Sequence, residues 1–194
     1  MKDRKEIKEK LIQTTIEEIE RVGLSKVTVR ALSKAAGVNV AAINYYFGSK
    51  SNLLQEAQEQ TLNHLLGDLQ EMLEKTEIEP RQQLHEMLSY LFEGALRYPN
   101  ITRSHIYDMF IEGSELGGLS SGMAPVVAHI AGLLETTSGL SKKLAFQRSV
   151  QVFSAVLFPS LLQSFFASSE VHDTFESRQM YIEEVINSAF RPAS

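Results

Sequence analysis

Thr28-Val29-Arg30-Ala31-Leu32-Ser33-Lys34-Ala35-Ala36-Gly37-Val38-Asn39-Val40-Ala41-Ala42-Ile43-Asn44-Tyr45-Tyr46-Phe47-Gly48-Ser49-Lys50 is the stretch on which the fold turns. Thr28 is placed to cap a short helix through its side-chain oxygen, and Gly37 stops that helix by accepting a left-handed backbone. Asn39 can cap a second short helix, Val40 to Phe47, whose Ile43 and Phe47 sit four apart on one face. Gly48 and Ser49 break it. Upstream, Ile12, Ile16 and Ile19, with Leu11 and Val22 beside them, form one apolar stripe on a helix from about 4 to 22, ended by Gly23.

Working outward toward the C-terminus, a long helix is predicted from Lys50 or Ser51 to about residue 75. Leu54, Ala57, Thr61, Leu65, Leu69, Met72 and Leu73 mark its inner face. Past Pro80 the helical period recurs at about 80–97, 101–113, 122–137, 142–168 and 173–190. The breaks are Tyr98-Pro99, the Gly-rich segment 113–122, Ser138-Gly139 and the segment 170–173. No run alternates at strand period. The expected fold class is therefore all-α, about nine helices, with a three-helix helix-turn-helix domain over 1–54 and a helical bundle over 55–194.

Charge divides the chain at the same place. Residues 1–54 hold ten Lys/Arg and six acids, a balance of +4, whereas the remainder carries −9 within a total of −5. A basic N-terminal segment on an acidic chain points to a polyanion as its partner. Cysteine is absent, which excludes disulfides, thiolate chemistry and Cys-bearing zinc sites. The first ten residues are charged rather than apolar, so no secretory signal is read there, and a cytoplasmic protein is expected. The uncharged run from Ser149 to Ser169 approaches membrane-spanning length. Gln151, Ser154, Pro159, Ser160, Gln163 and Ser164 interrupt it, so it reads as a helix covered by protein rather than lipid.

Two short helices joined by a tight Gly37-Val38-Asn39 turn, behind a longer first helix, match the arrangement whose last helix enters the DNA major groove. The quoted segment closely resembles the DNA-binding signature of the TetR family of bacterial transcriptional regulators. The matching features are a threonine-capped second helix, an Ala-Ala-Gly-Val turn, a third helix ending in aromatics, and a lysine opening the fourth. The resemblance covers about residues 7–55. Thr28, Arg30, Tyr45, Tyr46 and Lys50 are then expected to hold backbone phosphates. Asn39, Val40, Ala41 and Asn44 are left to read base edges, a set suited to A·T pairs. Asn44 stands where many relatives carry tyrosine. Ala35 and Ala36 are expected to be small so that the second and third helices can approach.

The resemblance also implies a homodimer on a palindromic double-stranded operator and a small-molecule effector that releases it. For the effector pocket the sequence offers Tyr90, Phe92, Tyr98, His105, Tyr107, Met109, Phe110 and Met123, residue types that line adaptable pockets and equally fill cores. For the dimer interface it offers Val152, Phe153, Val156, Leu162 and Phe166 with Tyr181, Ile182, Val185 and Ile186, on two strongly apolar helices; an intrachain core is the other reading. A DNA-bound adaptor whose second half binds a protein is the alternative function.

No catalytic residue, metal site or cofactor is expected. His64, His85, His105, His129 and His172 are scattered, and His85-Glu86 has Ser89 where a zincin needs histidine. Glu17, Glu18 and Glu20 read as a solvated helix face, and nothing assembles a nucleophile, a base and an orienting group.

Overall fold

Capping chemistry delimits the first elements. The structure is a computed structural model describing residues 2–75, 77–111 and 118–192, with side chains described within these except at 2–3, 107–111 and 118–121. Among the described residues there are nine α-helices and no strand. They are α1 Lys2–Val22, α2 Val29–Ala36, α3 Val40–Phe47, α4 Lys50–Leu73, α5 Pro80–Arg97, α6 Pro99–Ile111, α7 Gly118–Ser138, α8 Lys142–Leu161 and α9 Phe175–Ala189. A short 3-10 turn, Leu24–Lys26, follows Gly23, whose φ of 84° turns the chain out of α1. No sequence signal announces that turn.

Packing gathers the chain into two units. One comprises the described residues of 1–65 and 98–119, the other those of 66–97 and 120–194. In the first, Leu11, Ile19, Leu32, Ile43 and Leu53 are fully buried around Val27, Ala36, Phe47 and Ala57. Each such side chain contributes about 1.5–3 kcal/mol through removal from water. The expected stripe on α4 shifts accordingly, because Leu53 and Leu62 are buried where Leu54, Thr61 and Leu65 are only half-buried.

α6 joins this first unit through a reciprocal cap. The Glu20 carboxylate accepts the backbone N–H groups of Asn100 and Ile101 at 3.1 and 3.0 Å, and the Asn100 amide donates back to the Glu20 carbonyl at 2.8 Å. Two helix ends thereby satisfy each other's orphan groups. Glu18 is also buried, and Arg21 donates to both its oxygens. That hydrogen bonding, opposed by burial, holds the carboxyl below its ordinary range. The expectation of a solvated glutamate face is corrected to Glu17 alone, since Glu18 is paired in the core and Glu20 serves as a cap.

In the second unit Leu84, Met87, Leu88 and Phe92 of α5 are fully buried, as are Ile130 and Leu134 of α7 and Ile182 and Ile186 of α9. Gln83 is the polar member of this core. Its amide nitrogen donates to the carbonyls of Met72 at 2.8 Å, Lys75 at 3.2 Å and Leu73 at 3.3 Å, closing the end of α4. The amide oxygen is left to accept from His129 Nε2 at 3.1 Å, which requires the proton on that nitrogen. Burial lowers the pKa of His129.

α8 ends at Leu161 rather than running to 168. Pro159 lacks an N–H, so the carbonyl of Ala155 is orphaned, and the Tyr181 hydroxyl donates to it at 2.7 Å. Gln163 then takes the carbonyl of Ser160 at 3.1 Å, and side-chain competition for backbone acceptors ends the helix. Of the expected Gly-rich break at 113–122, residues 113–117 lie outside the described residues; α7 begins at Gly118. Among the described residues no helix is long and apolar enough to cross a membrane.

Candidate nucleic-acid interface

Four caps delimit α2 and α3. Thr28 Oγ1 accepts from the Ala31 N–H at 3.2 Å and starts α2. Gly37, at φ 67° and ψ 33°, ends it in a Schellman motif: its N–H bonds the Lys34 carbonyl at 3.2 Å and the Val38 N–H bonds that of Ser33 at 3.0 Å. Asn39 Oδ1 accepts from the Ala41 N–H at 2.9 Å and starts α3. At the far end, Asn52 of α4 donates to the Phe47 carbonyl at 2.8 Å.

These caps orient α3 so that Ile43 and Phe47 are buried while Val40, Ala41, Asn44 and Tyr45 are exposed. Asn39 also is exposed, but its carbonyl oxygen serves the cap. A bidentate adenine contact needs that oxygen, so Asn39 in this rotamer offers only its NH2, and Asn44 carries the full amide. Arg30 is exposed beside the start of α2. Tyr46 is half-buried against the core, and its ring meets that of Tyr45 edge-on at 5.0 Å. Tyr45 is 67% exposed.

Lys50 departs from a freely solvated phosphate ligand. Its ammonium donates to the Val27 carbonyl at 2.6 Å, tying the first residue of α4 to the residue ahead of the Thr28 cap. Two of its three protons remain for another acceptor. Ala36 is fully buried as expected, but Ala35 is exposed, so close helix approach constrains only the second alanine. Sequence reasoning missed Asn52 and also Arg4, whose guanidinium lies 5.4 Å over the Tyr45 ring. Forty-one positions separate that pair, and no local pattern signals it.

The expected effector-pocket residues are divided between the two units. Tyr98, exposed, and His105, bonded to Thr61 Oγ1 at 3.0 Å, belong to the first. Tyr90, Phe92 and Met123 belong to the second. There Phe92 is fully buried and its ring stands 6.0 Å from those of His172 and Tyr181, which makes it core. The Tyr90 hydroxyl donates to Asp68, and burial, then that bond, raises its pKa. The side chains of Tyr107, Met109 and Phe110 lie outside the described residues.

The expected dimer residues need a correction. Val152, Val156, Ile182 and Ile186 are at most 3% exposed within one chain, because α5, α8 and α9 pack on one another. They leave no surface for a partner. Tyr181 is half-buried with its hydroxyl spent on Ala155, while Phe153, Phe166 and Val185 are half-buried and Leu162 is exposed. Among the described residues from α8 onward, the large apolar side chains that face outward are Phe146, Val150, Phe158, Leu162, Phe165, Phe175 and Met180. A cleft of about 260 Å³ between α8 and α9 is lined by Arg148, Gln151, Glu184, Val185 and Ser188 among others.

A capped α2, a left-handed glycine turn and an α3 with one buried and one bare face define a three-helix helix-turn-helix domain. Residues 11–57 match the family described as bacterial regulatory proteins, tetR family. Over these residues the chain is similar to that family. It is 33% identical over 87 residues to the HTH-type transcriptional regulator BetI of Vibrio campbellii, covering 45% of this chain and 42% of that protein. With the BetI of Vibrio atlanticus it shares 35% over 88 residues, covering 45% and 44%. The chain thus spans less than half the length of these curated relatives. Its fold is that of HlyIIR, a hemolysin II transcriptional regulator (TM-score 0.66, 21% identity, 95% of this chain and 97% of that one). It is also that of the transcriptional regulator FadR from Bacillus subtilis in complex with stearoyl-CoA (0.64, 15%, 95% and 98%).

Proposed function

We propose that this protein is a ligand-responsive repressor of transcription. It binds a palindromic operator as a homodimer through α3 and leaves it when a small molecule binds the second half. The observation that carries this is the two-sided α3: Ile43 and Phe47 anchor it, while Val40, Ala41, Asn44 and Tyr45 are bare. Asn44 reads adenine through its amide, the Val40 and Ala41 methyls meet thymine methyls, and Thr28, Arg30, Tyr45, Tyr46 and Lys50 surround the adjacent phosphates. The functional boundary lies between 54 and 55, where the charge changes sign. The outward apolar face of Phe146, Val150, Phe158 and Leu162 buries itself against a second copy, which supplies the two-fold symmetry of the operator.

Release requires the effector to bind one head spacing more tightly than the other. α4, which begins at Lys50 in the head and ends at Leu73 under the Gln83 cap, is the element that carries the change. Selection from a random duplex pool tests the reading. It is expected to return two inverted half-sites with A·T pairs at the positions read by α3, and a single half-site or a G·C-only core would count against it. A compound that raises the melting temperature and lowers operator affinity identifies the effector.

A further inference from the structure

Lys2, Arg4, Lys5, Lys8 and Lys10 crowd the first ten positions. Lys8 is engaged with Glu56 at 2.7 Å and lies over the ring of Phe47. Lys5 faces Glu9 at 3.5 Å, one turn along α1. Arg4 differs from both. It is exposed, and among the described residues the partner the structure gives it is the ring of Tyr45, 5.4 Å below the guanidinium carbon. A guanidinium over an aromatic ring is engaged through its face, and its in-plane N–H donors stay available in the fork that fits a phosphate. Tyr45 itself stands on the bare side of α3 with its ring 67% exposed. A carboxylate partner would have neutralised this cation; an aromatic one leaves the charge intact beside the groove-facing helix.

We propose that Arg4 is a phosphate contact of the DNA interface, gripping one backbone phosphate together with Tyr45. The Tyr45 hydroxyl donates from α3 and the Arg4 fork donates from α1. The inference rests on the DNA-binding reading above and extends its footprint to the first turn of the chain. It assigns to Arg4 an electrostatic contribution that is blind to sequence.

The test uses the full chain and a duplex returned by selection, titrated between 50 and 200 mM salt, for wild type, Arg4→Met, Arg4→Lys and Tyr45→Phe. Each phosphate contact contributes about 0.9 to the slope of log affinity against log salt. Because each protomer of the dimer makes the contact, Arg4→Met is expected to flatten the slope by about 1.8. Over that fourfold range wild type then loses about 12-fold more affinity than the variant. Arg4→Lys keeps the slope, and Tyr45→Phe weakens binding with the slope intact. A wild-type slope in Arg4→Met overturns the proposal; if affinity falls nonetheless, Arg4 only positions Tyr45. An altered sequence preference in Arg4→Met overturns it too, since that places Arg4 on base edges. If wild type prefers no duplex, the DNA-binding reading fails and takes this inference with it, so the wild-type isotherm distinguishes the two failures.

Discussion

Replacing Lys50 by methionine separates two duties of one side chain. The substitution keeps an unbranched apolar stem and removes the ammonium, which donates to the Val27 carbonyl at 2.6 Å. Val27 is 1% exposed, so water replaces that donor poorly. A hydrogen bond from a charged donor contributes about 1.5–3 kcal/mol. Lys50 is half-buried and keeps part of its hydration, which lowers the expected loss to about 1–2 kcal/mol. For a chain of this size each kcal/mol shifts the melting temperature by about 2–4 °C, so Lys50→Met should melt about 2–8 °C lower. Urea unfolding at one fixed protein concentration gives the free energy directly. The DNA duty is read separately, from the salt slope of operator binding at a temperature where the variant is folded. If the ammonium holds a phosphate, its removal from both protomers of the dimer flattens that slope by about 1.8. A stability change below about 0.5 kcal/mol, well under the range for such a bond, together with an unchanged slope, would refute both duties.

Other perturbations follow from the same geometry. Gly37→Ala should cost about 1–2 kcal/mol in urea unfolding and leave sequence preference intact, because a Cβ at φ 67° is strained while its nearest neighbour, Lys10 Nζ, is an unobstructive 3.9 Å away. A loss above about 4 kcal/mol would mean a clash that the structure does not contain. Asn44→Ala should relax selection at one base pair of each half-site and cost about 1–3 kcal/mol of affinity per half-site; a uniform loss across all sequences would place Asn44 on phosphate. Phe146→Glu with Phe158→Glu, both on the outward face of α8, should yield a folded monomer by sedimentation, and a persistent dimer would put the interface elsewhere.

His129 supplies a pH dependence whose sign can be worked out. Burial holds its pKa below 6.5, so between that depressed value and 6.5 the unfolded chain binds more protons than the folded one. Its contribution is complete above pH 6.5 and is lost as pH falls through the lowered value. Comparing urea midpoints of wild type and His129→Gln, the wild type should lose more stability on going from pH 7.5 to 5.5. Equal losses would show that His129 does not titrate in this way.

Cap chemistry is local, which is why the ends of α1, α2 and α3 can be read from Gly23, Thr28, Gly37, Asn39 and Gly48. The inward position of Ile43 and Phe47 is legible for the same reason, because a four-residue spacing fixes a face whatever lies opposite. What lies opposite is a tertiary matter. The burial of Glu18 is one such matter; the cap that Glu20 gives to α6 and the Lys50 bond to Val27 depend on residues 81 and 23 positions apart, and glutamates on a helix look solvated until another helix covers them. The end of α8 is illegible because no glycine follows Leu161 and the polar competitor, Gln163, sits inside an apolar run. The apolar stripes of α8 and α9 are visible, but periodicity cannot tell the side that faces α5 from the side left bare. Pattern alone therefore assigns Val152 and Ile186 to the interface and passes over Phe158 and Phe165, which are exposed.

The most direct test of the central claim compares affinity for the selected duplex with that for a scrambled duplex of equal length at physiological salt. A dimer that reads bases through α3 should bind the selected duplex with a dissociation constant of about 10⁻⁸ M or below and at least about 10³-fold more tightly than the scrambled one. Equal affinities, falling together with salt, would mean that the helix-turn-helix holds phosphates without reading sequence, and would contradict its assignment as an operator-recognition domain.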